Sequence, residues 1–252
     1  LDISDPDSPS LMWQIDADTT DFEELGQSWS QPKIGYSKLN IASGVAKPVL
    51  FFGGGYDTSK DNAGVGGDDN VGRAIYMVDA ETGAKKWSMA DSNADTSFSG
   101  TDSIPSNIAT LDSDGDGLVD RLYTGDTGGN VWRVDMPGNT KADFSVFKLA
   151  SLGGDDHAND RRFFNEPSVV RTFITETIES QVTDADNNTS TVTVHQEIPY
   201  DAVLLGSGDR SNPLGTDTND TFFMLKDKNI ITQTFSASST PATPTAITHS
   251  NT

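Results

Sequence analysis

RLYTGDTGGNVWRVD, residues 121–135, holds two short apolar runs on either side of a glycine-rich turn. The first run ends on glycine and aspartate (RLYTGD, 121–126), and the second carries an aromatic and closes on aspartate (VWRVD, 131–135). Short runs rich in β-branched and aromatic residues, bounded by Gly, Asn and Asp, read as β-strands. The turn between them, within TGDTGGNVW, nearly matches the Asp-box of sialidases with its Trp one residue late. That box is a structural turn, so it suggests a corner and not a site.

The same grammar recurs along the chain. A proline-led strand comes first: QPKI at 31–34, IPSNI at 104–108, EPSVV at 166–170. A strand ending in glycines follows: VLFFGGG at 49–55, RLYTGD at 121–126, VLLGSG at 203–208. Next comes the aromatic-led strand closing on aspartate: IYMVD at 75–79, VWRVD at 131–135, FFMLKD at 222–227. After the first two copies an outer segment with an aromatic appears, ETGAKKW at 81–87 and PGNTKADFSVF at 137–147. The chain opens on LDISDPDSPSLMW, which reads as the tail of an earlier copy, Asp2 standing for Asp79 and Trp13 for Trp87.

Four antiparallel strands repeated radially make a β-propeller, which needs about four blades or more. The expectation is therefore all-β: a segment of a larger propeller over residues 1–235, with about three blades present. Residues 1–20 end a preceding blade, 29–90, 102–150 and 163–235 are the blades, and 236–252 form a Ser/Thr/Pro-rich tail that reads as disordered. A β-sandwich with chance internal similarity is the alternative. Helical periodicity is nearly absent. DFEEL at 21–25 predicts one short helix, capped by Thr20 or Asp21 and stopped by Gly26. Residues 176–198 predict a protruding β-hairpin with its tip at DADNN. The acidic stretch 56–72, with Asp57, Asp61, Asp68 and Asp69, reads as a solvated loop. Asp209 and Arg210 in GSGDR read as a hydrogen-bonded corner.

The 252 residues carry 38 acidic and 17 basic side chains, a net charge of −21. That field repels nucleic acid and anionic lipid, so neither is an expected partner. No apolar run approaches the ~18–20 residues that span a bilayer, so no direct membrane insertion is expected. The chain begins at Leu1 without a signal peptide and reads as a processed chain or an excised fragment. There is no cysteine, hence no disulfide, thiolate zinc site or cysteine nucleophile. His157, His195 and His249 stand far apart in polar stretches, without metal-binding spacing.

One loop carries chemistry. DSDGDGLVD, residues 112–120, places aspartates at its first, third, fifth and ninth positions and glycines at its fourth and sixth. Ca²⁺ takes oxygen ligands, and alternate side chains of a curled loop can converge on one ion. The predicted ligands are Asp112, Asp114, Asp116, the Leu118 carbonyl and Asp120, with Gly117 supplying the sharp turn. An EF-hand would close with Glu at its twelfth position, where this chain has Tyr123, so Asp120 is expected to close the shell instead. Ser113, at the second position, is expected to point away from the ion. The alternative is a merely solvated acidic turn.

LDISDP, LGQSWSQPKI, PVLFFGGGYD, IYMVDAETG, LYTGDTGGNVWRVD and LLGSGDR, in this order with DSDGDGLVD, resemble the C-terminal domain of type IV pilus biogenesis factors of the PilY/PilC family. The likeness runs from residue 1 to about residue 227. It implies a modified seven-bladed, quinoprotein-like propeller of which this chain is about half. It also implies a cell-surface or secreted protein at the pilus tip or outer membrane that promotes pilus assembly, counters retraction, and serves adhesion and twitching motility. Its implied partners are minor pilins and host or surface receptors. The family's calcium ligands carry over to the same five positions, with Asp114 where members often have Asn. The von Willebrand-like region of many members is absent from this sequence. Two other readings stand beside this one: an integrin-α-like calcium-binding adhesion propeller, and a quinoprotein dehydrogenase, for which no convincing quinone pocket appears. The leading expectation is a non-enzymatic protein.

Overall fold

The computed structural model describes residues 1–61, 65–233 and the two-residue strand 247–248. Three sheets organise them. The first contains β1 (Lys33–Ala42), β2 (Val45–Gly53), β3 (Ile75–Asp79), β4 (Lys85–Ala90) and the short β5 (Thr96–Ser97). The second contains β6 (Ala109–Leu111), β7 (Arg121–Gly125), β8 (Asn130–Asp135) and β9 (Ser145–Ser151). The third contains β10 (Ser168–Thr183), β11 (Thr189–Gly206) and β12 (Phe222–Asp227). A last strand, β13 (Ile247–Thr248), runs parallel to β9.

The repeated sequence landmarks share one register. Gly53 lies opposite Ile75, Gly125 opposite Val131, and Gly206 opposite Phe222. The glycine strand of each sheet therefore pairs antiparallel with the aromatic-led strand in the same frame. The first two sheets each have four antiparallel strands, and among the described residues the third has three.

Alternation explains how the sheets stack. One face of the first sheet (Phe51, Ile75, Met77, Trp87) meets one face of the second (Leu122, Trp132, Val134). Tyr123, Val131 and Leu149 of the second sheet also share a cluster with Val203, Leu205, Phe223 and Leu225 of the third. A strand buried on both faces reads as near-continuous apolar sequence, which is what β3 shows. β7 is buried along its whole length as well, but carries Arg121, whose charge is paired with Asp201. The free face of the first sheet is covered by residues near the start of the chain, where Trp13, Ile15 and Phe22 pack around Tyr76 and Val78. Trp13 also donates its indole N–H to the Ala80 carbonyl at 3.1 Å. The third sheet leaves Phe222 and Met224 exposed, the kind of apolar face that a following blade covers in a propeller.

Two expectations fail here. Residues 21–25 form no helix but successive turns, with Phe22 N–H bonded to Thr19 O and Leu25 N–H to Phe22 O. Asp21 sits at φ +74°, a left-handed conformation that an α-helix cannot contain. The stretch 56–72 is not simply solvated: Asp57 and Asp69 are buried. Asp57 accepts the backbone N–H groups of Ser59, Asn70 and Val71. Asp69 accepts from Ser103 N–H and the Thr127 hydroxyl, both at 2.7 Å, and lies 3.7 Å from the buried Lys60 ammonium. Strongly acidic sequence thus becomes a hydrogen-bonded corner between two sheets.

The hairpin is longer than 176–198 suggests. β10 and β11 pair without a break from Ser168–Leu204 to Thr183–Thr189, and Asp184 and Asn188 close the tip. Every residue from Thr177 to Glu197 is exposed. His195 lies on this hairpin, His157 is exposed in a short 3-10 turn, and His249 falls outside the described residues. The tail 236–252 also falls outside them, apart from β13.

Candidate metal centre

The nine-residue acidic loop joins β6 to β7. Its aspartates first satisfy the loop's own backbone. Asp112 accepts N–H from Gly115 (2.7 Å) and Asp116 (3.2 Å) on one oxygen and from Gly117 (2.8 Å) on the other. Asp114 Oδ1 accepts from Asp116 N–H, and Asp116 Oδ1 from Leu118 N–H. These bonds curl the chain, and Gly117 takes the turn at φ +85°, a conformation that side chains rarely tolerate.

The curl brings the carboxylates of Asp112, Asp114 and Asp116 together, with one oxygen from each lying within 4.8 Å of the others. Asp120 does not join that group. It is turned inward and buried, its two oxygens held by the Ser113 N–H (3.0 Å) and hydroxyl (2.6 Å). Ser113 therefore has a role that its second-position spacing concealed. Its hydroxyl also lies 2.8 Å from that of Thr232.

A lysine from the neighbouring sheet faces the cluster. Lys38 Nζ lies 3.2 Å from Asp116 Oδ2 and 3.8 Å from Asp114 Oδ2. Burial pulls its pKa down, but the hydrogen bond to Asp116 and the charges of Asp116, Asp114 and Asp120 together raise it. Asp116 is held below the usual carboxylate range, chiefly by the Leu118 N–H and also by Lys38. Asp120 moves the other way, because burial outweighs its bonds from Ser113. The loop is also tied to the first sheet by its backbone, Val119 N–H donating to Tyr36 O at 2.8 Å.

A knot of charges, buried except for Arg171 at its edge, lies beside the loop. Arg133 binds Asp135 through Nε and Nη2, both at 2.8 Å, and Asp227 through Nη1 at 2.6 Å. Arg121 binds Asp201 at 2.7 Å, and Arg171 binds the same carboxylate while donating to Ser113 O at 3.0 Å. Arg133 also reaches the Asn229 and Ile231 carbonyls, and so holds the segment after β12 across the second sheet. Sequence reasoning missed this knot. Its only signal was the aspartate closing each aromatic-led strand.

Hard oxygen donors gathered on one curled loop, with an ammonium group already drawn to them, suit a hard cation such as Ca²⁺ and lack the nitrogen or sulfur that zinc prefers. Fold and loop together define a β-propeller segment bearing one acidic, oxygen-rich loop between two strands of its middle sheet. The chain belongs to the PilY1 β-propeller domain family, whose model matches residues 1–223.

Relatives agree. The type IV pilus biogenesis factor PilY1 of Pseudomonas aeruginosa strain UCBPP-PA14 is 30% identical over 148 residues, 57% of this chain and 10% of that protein. The PilY1 homolog of Xylella fastidiosa strain Temecula1 is 27% identical over 162 residues, 61% of this chain and 10% of that protein. The chain thus spans about a tenth of the length of these curated relatives. The crystal structure of the P. aeruginosa PilY1 C-terminal domain has the same fold, with a TM-score of 0.58 at 19% identity, covering 99% of this chain and 45% of that one.

Proposed function

We propose that this chain is the calcium-binding propeller region of a type IV pilus biogenesis factor. The observation that carries the reading is the convergence of Asp112, Asp114 and Asp116 in a chain whose relatives bear that name. Those three carboxylates would hold Ca²⁺, with the Leu118 carbonyl and Asp120 completing the shell. The ion would supply the positive charge that fixes the loop between β6 and β7. The protein acts at the cell surface, at the pilus tip or outer membrane, or in secreted form. It promotes pilus assembly and extension, counters retraction, and supports adhesion and twitching motility through contacts with minor pilins and surface receptors. The role is non-enzymatic.

The test uses the full-length protein in its own cell. Asp112→Asn and Asp120→Ala should lose calcium uptake and lower the number of surface pili when the retraction motor is present. Deleting the motor should restore the pili. If both variants lose calcium and pilus number stays the same in both backgrounds, the ion only pins the loop and pilus control lies elsewhere.

A further inference from the structure

We propose that Lys38 is the resident counter-ion of the acidic loop and sets its calcium affinity by competing with the metal for Asp114 and Asp116. This rests on the calcium reading above. The oxygens decide it. In both aspartates Oδ1 is occupied by a backbone N–H of the loop, and Oδ2 is the atom that faces Lys38 Nζ. The lysine therefore sits on the two carboxylate oxygens that take no bond from the loop's own amides, where a cation meets the most available negative charge.

Its aim is built into the fold. Lys38 lies where the pairing of β1 with β2 shifts register, between Tyr36 and Ile41. Such irregularities re-aim side chains. Leu39, beside it, packs against the core shared by the first two sheets. The Tyr36–Val119 backbone bond fixes the distance from strand to loop. The nearby arginines are already engaged: Arg121 and Arg171 bind Asp201, and Arg133 binds Asp135 and Asp227. A single ammonium neutralises only part of the loop's charge, so a dication binds better but has to displace it. Calcium uptake thereby exchanges an ion pair between neighbouring sheets for a metal held within one loop.

The experiment is calcium titration by calorimetry on the wild type, Lys38→Met and Lys38→Arg, with melting in EDTA alongside. Removing a partly screened charge from the site should tighten calcium binding of Lys38→Met roughly three- to tenfold. Lys38→Arg should stay near wild type. In EDTA, Lys38→Met should melt below both, because its carboxylates then face one another without a cation. Lys38→Gln replaces Lys38→Met if the latter fails to fold. Wild type that binds calcium while Lys38→Met binds it equally or more weakly overturns the competition and leaves the calcium reading standing. If neither takes up calcium, both are overturned.

Discussion

Ser113 holds both oxygens of Asp120, one through its amide at 3.0 Å and the other through its hydroxyl at 2.6 Å. Each carboxylate oxygen keeps a lone pair beyond these bonds, so the grip positions Asp120 without exhausting it. With Asp120 as closing ligand, Asp120→Ala should abolish tight calcium binding, the wild-type Kd falling within about 10⁻⁷–10⁻⁴ M. Ser113→Ala should weaken binding only severalfold. It should also cost about 1–2 kcal/mol of stability in EDTA, through the lost bond to a charged group. Calorimetry and urea unfolding measure the two effects, and equal losses of affinity in both variants would contradict these roles.

The arginine knot makes a stability prediction that is independent of the metal. Arg133 is fully buried among Asp135, Asp227 and two backbone carbonyls. Arg133→Met leaves buried carboxylates without their counter-charge and should cost about 3–5 kcal/mol. Because Asp227 is its partner, adding Asp227→Asn should cost far less than it does alone. Additive losses in the double-mutant cycle would mean that the two residues act separately.

The repeat was legible because it is local: glycine, turn and aromatic recur in short stretches, and sheet pairing preserved their frame at Gly53, Gly125 and Gly206. The acidic loop was legible for the same reason, since its aspartates bond to amides within five residues. What could not be read depends on distant chain. The burial of Asp69 depends on Ser103 and Thr127 of other segments. Lys38 is an ordinary strand lysine until the strand shifts register and the second sheet docks beside it. The inward turn of Asp120 required knowing that Ser113, seven residues earlier, would capture it. The helix expected at 21–25 failed because burying Phe22 against Tyr76 went with a left-handed Asp21.

The outer hairpin should be dispensable for folding. Residues 177–197 are all exposed, including Ile178, Val182, Val192 and Val194. Replacing residues 177–195 with a two-residue Asn-Gly turn between Glu176 and Gln196, which lie directly opposite one another, keeps the register and removes no buried residue, and unfolding free energy should change by no more than about 0.5 kcal/mol. A larger loss in urea unfolding would mean that the hairpin folds back on the sheets. If the shortened protein folds normally but lowers pilus number in cells, the hairpin serves binding.

Asp126 gives the pH prediction. It is completely buried and accepts from Gly128 N–H, Asn130 N–H and side-chain amide, and Trp132 indole N–H at 2.6 Å. Burial and the nearby charge of Asp102 outweigh these donors and push its pKa up to about 7. An unfolded aspartate titrates near 3.9, so between those values the folded state binds a proton that the unfolded state lacks. The site's contribution is therefore fully favourable below about pH 4, declines as pH rises towards about 7, and is flat above. Asp126→Asn cannot titrate, and its amide hydrogens face donors in place of acceptors, so it should be less stable at every pH, by about 1–3 kcal/mol near neutrality. Its deficit against wild type should be largest at mildly acidic pH and shrink as pH rises to neutral. Urea unfolding of both proteins across that range measures the difference. A deficit that grows with rising pH would mean that Asp126 is held as a carboxylate by its donors.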